Sequence, residues 1–163
     1  MIRIWLAVSL LLGTLPALAQ EYRHPVVEQV IAAGDRPEGV VFDLVTFGDH
    51  SWDWASPMLQ SLIDQLQQPY PELEVALISH GFELFDLSER SGNALRPSVR
   101  QLQTLADAGL DVYVSANYAS TRRYQPEDFL PFVNVTDSGP ARVEDYVSLG
   151  FVRVELENPD GSD

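Results

Sequence analysis

The chain has 163 residues, no cysteine and no lysine, and its 24 acidic side chains face ten arginines, for a net charge of −14. That balance repels nucleic acid and anionic membrane surfaces, so neither is an expected partner. The missing residue types exclude disulfides, thiol catalysis, thiolate-bound metal or iron–sulfur clusters, and Schiff-base chemistry on a lysine.

The first twenty residues, MIRIWLAVSLLLGTLPALAQ, carry one charge, Arg3, then an apolar stretch from Ile4 to Leu18 and the small-x-small triplet Ala17-Leu18-Ala19. This pattern predicts a secretory signal peptide over 1–19. Its apolar core, about 15 residues long, falls short of the roughly 20 that a spanning helix needs. Cleavage after Ala19 would leave a periplasmic chain of net charge −15, since Arg3 departs with the leader. The expected organisation is then an N-terminal arm over 20–37 with a short helix at 26–33, one α/β domain over 38–157, and a frayed tail over 158–163. No membrane association is expected after cleavage.

Within the domain, apolar runs and helical patterns alternate. Residues 39–47 are β-branched and apolar, closed by Gly48, and predict a buried strand. Ser56-Pro57 predicts a helix start, with proline at a first-turn position that needs no N–H; Met58, Leu59, Leu62, Ile63 and Leu66 form its apolar stripe, and Pro69 and Pro71 stop it. Residues 74–79 predict a second strand, and a polar loop follows at 88–93. A helix is expected over 96–108, with Gly109 at the left-handed C-cap. Residues 110–114 predict a third strand, 125–129 a short helix, 133–135 a short strand, 140–149 a last helix and 151–156 a final strand. Alternation of this kind argues for a parallel sheet covered on both faces.

Ligands of such sheets bind beyond the carboxyl ends of the strands. The segments there are Phe47-Gly48-Asp49-His50, then Ser79-His80-Gly81-Phe82, then Ser115-Ala116-Asn117 with Arg122-Arg123 beyond. Parallel strands predict that His50, His80, Ser115 and Asn117 converge at one edge, walled by Phe47 and Phe82, with Arg122 and Arg123 placed to hold an anion. A Ser/His/Asp hydrolase could use Ser115, His80 and Asp49, although the serine lacks a G-x-S-x-G elbow. A metal-dependent enzyme could use His50 and His80 with Asp49 or Asp53, although their spacing is unspecific. No phosphate-binding loop is present. Neither a metal nor another cofactor is expected. Trp52 and Trp54 are read as packing over the first domain helix or at a subunit contact.

Several segments, in order and spacing, resemble the DsrE/DsrF-like family in its exported branch. They are Val40-Val41-Phe42-Asp43, Ala76-Leu77-Ile78-Ser79-His80-Gly81, the stretch from Leu102 to Gly109, Asp111-Val112-Tyr113-Val114-Ser115-Ala116-Asn117, Asp128-Phe129-Leu130-Pro131, Ser138-Gly139 and Leu149-Gly150-Phe151. The resemblance covers roughly residues 38–156. It implies a flavodoxin-like three-layer α/β/α domain with a mostly parallel sheet of about five strands, assembled into homo-oligomers. Family members of known role carry sulfur as a cysteine persulfide, on a cysteine after the third strand. The matching position here is Ser115, whose hydroxyl cannot form an exchanging persulfide; His80 and Asn117 match polar residues common in the family. The expected function is therefore an exported, non-catalytic relative, related to sulfur metabolism, that binds a small sulfur-containing ligand or a periplasmic protein. An oligomeric accessory subunit or a hydrolase on the same strand ends are the alternatives.

Overall fold

The computed structural model describes residues 21–161; the expected leader lies outside them. A helix, α1 (Pro25–Ala33), precedes the sheet. Then follow β1 (Gly39–Leu44), α2 (Trp52–Gln67), β2 (Glu74–Ser79), α3 (Pro97–Asp107), β3 (Leu110–Ser115), α4 (Ala116–Ser120), β4 (Val133–Thr136), α5 (Gly139–Ser148) and β5 (Phe151–Leu156). All pairings are parallel, in the order β4-β3-β2-β1-β5. This is a three-layer α/β fold of the flavodoxin-like kind.

The handedness of parallel crossovers explains the layers. Right-handed connections that step repeatedly in one direction leave their helices on one face. The steps from β1 to β4 place α2, α3 and α4 there. The return from β4 across the sheet to β5 runs in the opposite direction, so α5 lands on the other face. Strand side chains alternate accordingly. Val40, Phe42, Leu44, Leu77, Val112 and Val154 enter the large core with α2 and α3. Val41, Ala76 and Ile78 meet Val143 and Tyr146 of α5 in a smaller one. Five strands share one ten-residue helix on that second face, so its carboxyl-end half carries polar residues instead: Asp43, His80, Arg153 and Glu155.

The N-terminal arm is latched to α2. The Tyr22 amide donates to Ser61 Oγ (3.2 Å), Gln65 Nε2 to the Tyr22 carbonyl (2.7 Å) and Tyr70 Oη to the Val30 carbonyl (3.1 Å), while Val27 is fully buried. Beyond β5, in the expected tail, Asn158 to Gly161 forms a turn closed by the Gly161 amide on the Asn158 carbonyl.

Three sequence expectations need correction. The helix expected at Ser56-Pro57 begins at Trp52 and takes Pro57 into its interior. The anchor is tertiary: the Trp52 indole is buried, and its Nε1 donates to the Glu83 carbonyl (2.9 Å). The strand expected to reach residue 47 ends at Leu44, and the expected helix at 125–129 is a single 3₁₀ turn, Pro126–Asp128. Helix α4 was not expected at all.

The ends of β1 and β2 are joined by Glu83, inside a 3₁₀ turn spanning Phe82–Leu87. The side chain is 1% exposed. Its carboxylate accepts from the Thr46 amide (2.9 Å) and Oγ1 (3.2 Å), from Ser79 Oγ (2.8 Å) and from the Gly81 amide (2.8 Å). The Phe82 amide in turn donates to the Thr46 carbonyl (2.7 Å). Burial pushes the Glu83 carboxyl above its usual range, and the donors offset that only in part.

This knot explains Gly81. A Cβ there would lie 2.5 Å from both the Glu83 carboxylate and the Thr46 carbonyl oxygen, and 2.6 Å from the Thr46 nitrogen. Two of those contacts are backbone and cannot rotate away. Gly81→Ala should therefore destabilise the protein by about 1–3 kcal/mol, the cost of overpacking a fixed site. Urea denaturation measures it, and a loss within about 0.5 kcal/mol, typical of an unconstrained surface site, would contradict the close approach.

Candidate functional site

Parallel strands bring the sequence-predicted residues to one edge, and the alternation of side chains then divides them. His80 and Ser115 directly follow Ser79 and Val114, which are paired in register, so both emerge on the same edge from neighbouring strands. His80 nevertheless belongs to one cleft and His50 to another. The expected single pocket of His50, His80, Ser115 and Asn117 does not form.

The first cleft opens beyond β1 and β2, on the side of α2 and α3. It has a volume of about 400 Å³ and is lined by Phe47, His50, Phe82, Asp86, Arg96 and Arg122, with Asp49 also on its wall. His50 adopts a left-handed backbone, φ 65°, which is strained for a side chain of its size. Arg96 holds it there: Nη1 lies 2.6 Å from His50 Nδ1, while Nη2 donates to Asp53 Oδ2 (2.9 Å). A guanidinium only donates, so Nδ1 must accept and the ring hydrogen resides on Nε2. Asp53 is fixed from its other oxygen by Ser98 Oγ (2.7 Å).

Arg122 lies over two rings, its Cζ 4.5 Å from the Phe82 centroid and 4.7 Å from that of Phe85. It makes no ion pair among the described residues. Phe47, 61% exposed, meets Phe82 edge-on at 5.4 Å. Asp86 accepts from Asn93 Nδ2 (2.8 Å); burial raises its carboxyl, and Asn93 and Arg96 hold it partly back.

The second site sits on the α5 face. Asp43 is buried, and its Oδ1 lies 2.6 Å from His80 Nε2. Its Oδ2 takes Arg153 Nε (2.9 Å) and Nη2 (2.6 Å), and Nη2 also reaches Glu155 Oε1 (3.0 Å). A cleft of about 340 Å³ lies between this group and the turn after β5, and one of about 310 Å³ lies toward the first turn of α5. Gly139 lets α5 approach, since a Cβ there would come within 2.5 Å of His80 Cβ. Burial opposes ionisation of Asp43, but the hydrogen bond and charge of His80, with the charge of Arg153, outweigh it and hold the carboxyl below its usual range.

The remaining expected residues stand apart. Ser115 is buried at the end of β3, and its hydroxyl makes no hydrogen bond among the described residues. Asn117 is exposed, its amide donating to the Asp137 carbonyl (3.0 Å). Arg123 has a left-handed backbone, φ 59°, and its carbonyl accepts from Arg90 Nη1 (3.1 Å). The weighed hydrolase set of Ser115, His80 and Asp49 is split, because the carboxylate paired with His80 is Asp43. Among the described residues no cluster of His, Asp or Glu is placed to hold a metal ion, and no helix is long and apolar enough to cross a membrane. Sequence reasoning missed Asp43, Glu83, Arg96 and Arg153. Asp43 and Arg153 sit inside apolar strand patterns, which was the one available signal.

A scan against protein-family models finds no match, and neither does a comparison with curated proteins. Among solved structures the chain is similar to a protein of unknown function, MTH1491, from Methanobacterium thermoautotrophicum, with a TM-score of 0.56 and 17% sequence identity, covering 72% of this chain and 97% of that one. The likeness supports the fold alone.

The Asp43 cluster generates a pH prediction. A carboxyl depressed in the folded state stabilises the protein above its unfolded pKa, and that contribution is lost as pH falls through the folded value. Asp43→Asn should cost about 1–3 kcal/mol at pH 7, the penalty for removing a buried charged partner. The gap to the parent should narrow below the ordinary carboxyl value of 3.8. Glu83, with its raised carboxyl, contributes with the opposite sign and is unchanged between the two proteins. Denaturant melts at pH 7 and pH 3 decide the matter; a gap that persists undiminished at pH 3 would contradict the assignment.

Proposed function

We propose that this is an exported DsrE-like protein that binds a small ligand without transferring sulfur. The single observation that supports this reading most is the cleft beyond β1 and β2. It joins a guanidinium without a carboxylate partner among the described residues, Arg122, to the exposed ring of Phe47 and the Nε2–H of His50. Concave sites of this size with an apolar wall and a few convergent polar groups are characteristic of small-molecule binding. A strained residue held by its neighbours, here His50, is a further mark of a built site.

The absence of any thiol supports binding over sulfur transfer. Ser115, at the position where the resemblance places the family's cysteine, is buried and outside the cleft. The sulfur-related role rests on the resemblance, with sulfur oxyanions and small organosulfur compounds as the first ligands to try. A second reading, a homo-oligomeric accessory subunit, is favoured by Leu95, an apolar side chain 73% exposed.

The test uses the purified exported protein with thiosulfate, sulfide and a persulfide donor. Intact mass should show no covalent sulfur. A ligand of the cleft should shift the NMR signals of Phe47, Phe82 and His50 while leaving His24 unmoved, and Arg122→Gln should weaken it about tenfold. A stable sulfur adduct, or equal shifts at His24 and His50, would contradict the proposal. Self-association that buries Leu95 with no ligand response in the cleft would favour the second reading.

A further inference from the structure

The charges around the first cleft define its ligand more closely than its size does. Arg96 is already committed to His50 and Asp53. Arg122 stacks on Phe82 and Phe85 and has no anionic partner among the described residues. Asp49, on the same cavity wall, makes no hydrogen bond or ion pair among the described residues. Arg122 and Asp49 thus line one cavity without pairing with each other. Asp86 adds a second carboxylate near Asp49, close enough that the charge of one disfavours ionisation of the other.

Each simple ion meets a conflict in this field. A plain anion gains Arg122 but faces Asp49 and Asp86. A plain cation gains the two carboxylates but faces Arg122. A ligand carrying both charges satisfies both walls and leaves no like charges opposed. Phe47 supplies the third element. Its ring meets Phe82 edge-on and leaves most of its surface to solvent, a platform for a flat apolar body.

We infer that the cleft binds a zwitterion with an aromatic body, an aromatic α-amino acid or a compound of the same charge layout. Its carboxylate lies on Arg122, its ammonium faces Asp49 and Asp86, and its ring lies against Phe47. The inference rests on the small-ligand reading above and names the ligand class for the same site.

The experiment titrates the purified exported protein with L-phenylalanine, N-acetyl-L-phenylalanine, L-phenylalaninamide and thiosulfate, followed by calorimetry and by the NMR signals of Phe47, Phe82 and His50. L-Phenylalanine should bind saturably. Capping either charged group should weaken binding about tenfold, the loss expected when one charge pair is removed. Two variants then assign the ends. Arg122→Gln should weaken L-phenylalanine and its N-acetyl form but spare the amide. Asp49→Asn should weaken L-phenylalanine and the amide but spare the N-acetyl form. If the N-acetyl form binds as tightly as the free amino acid, or thiosulfate binds tighter than both, the site takes plain anions; the inference fails while the small-ligand reading stands. If none of the four compounds perturbs the cleft, both fail.

Discussion

Glu83 lies between the ends of β1 and β2 with essentially no access to water, and its carboxylate gathers donors from Thr46, Ser79 and Gly81. Taking such a group out of water costs several kcal/mol unless its lone pairs are filled. Here they are filled by the backbone and side chains of the two strand-end segments, which the Phe82 amide on the Thr46 carbonyl also ties together. Release of either segment would strand a buried charge, so the segments are held together for as long as the protein is folded. The carbonyl of the same residue accepts the Trp52 indole, which fixes where α2 begins. The first cleft inherits its shape from these contacts: Phe47 and His50 lie on one segment, Phe82 and Phe85 on the other.

The sheet order adds a division of labour. Because the chain steps from β1 to β4 in one direction and returns once, one face is fully covered by helices and the other only in part. The uncovered half of the second face keeps its charges in the Asp43, His80 and Arg153 cluster. There a carboxylate held ionised by its partners balances an arginine on the next strand. The two strand-end sites therefore differ in kind. In one the charges are paired internally; in the other Arg122 and Asp49 lack charged partners among the described residues.

Much of the architecture was legible in the sequence. Strands β2 and β5 were readable to the residue because turn or helix-capping residues bound their apolar runs. The parallel topology followed from alternation, and it correctly placed the segments after the strands on one edge. What alternation along the chain could not say was which face each side chain at that edge would take. His80 continues the alternation of β2 onto the α5 face, whereas His50 sits in a loop that turns the other way. The over-long reading of β1 has a related cause. Val45 and Phe47 look like core residues by composition, but both are exposed, and Phe47 forms the cleft wall. Pro57 misled because local chemistry favours proline in the first turn, while the buried indole of Trp52 imposes an earlier start. Glu83 stands in the run Phe82-Glu83-Leu84-Phe85, and an acid amid apolar neighbours gives no sign of the distant donors that satisfy it.

One buried carboxylate, that of Glu83, fastens the segments beyond β1 and β2 to each other. Amide hydrogen exchange on Glu83→Gln tests it directly, because glutamine keeps the shape but removes one acceptor oxygen and the charge. The account predicts that exchange at Thr46 or Gly81 accelerates about ten- to a hundredfold, the loss of a charged hydrogen bond. The amides of Phe42 and Leu77, inside β1 and β2, should keep their protection. Unchanged protection at both Thr46 and Gly81 would contradict it.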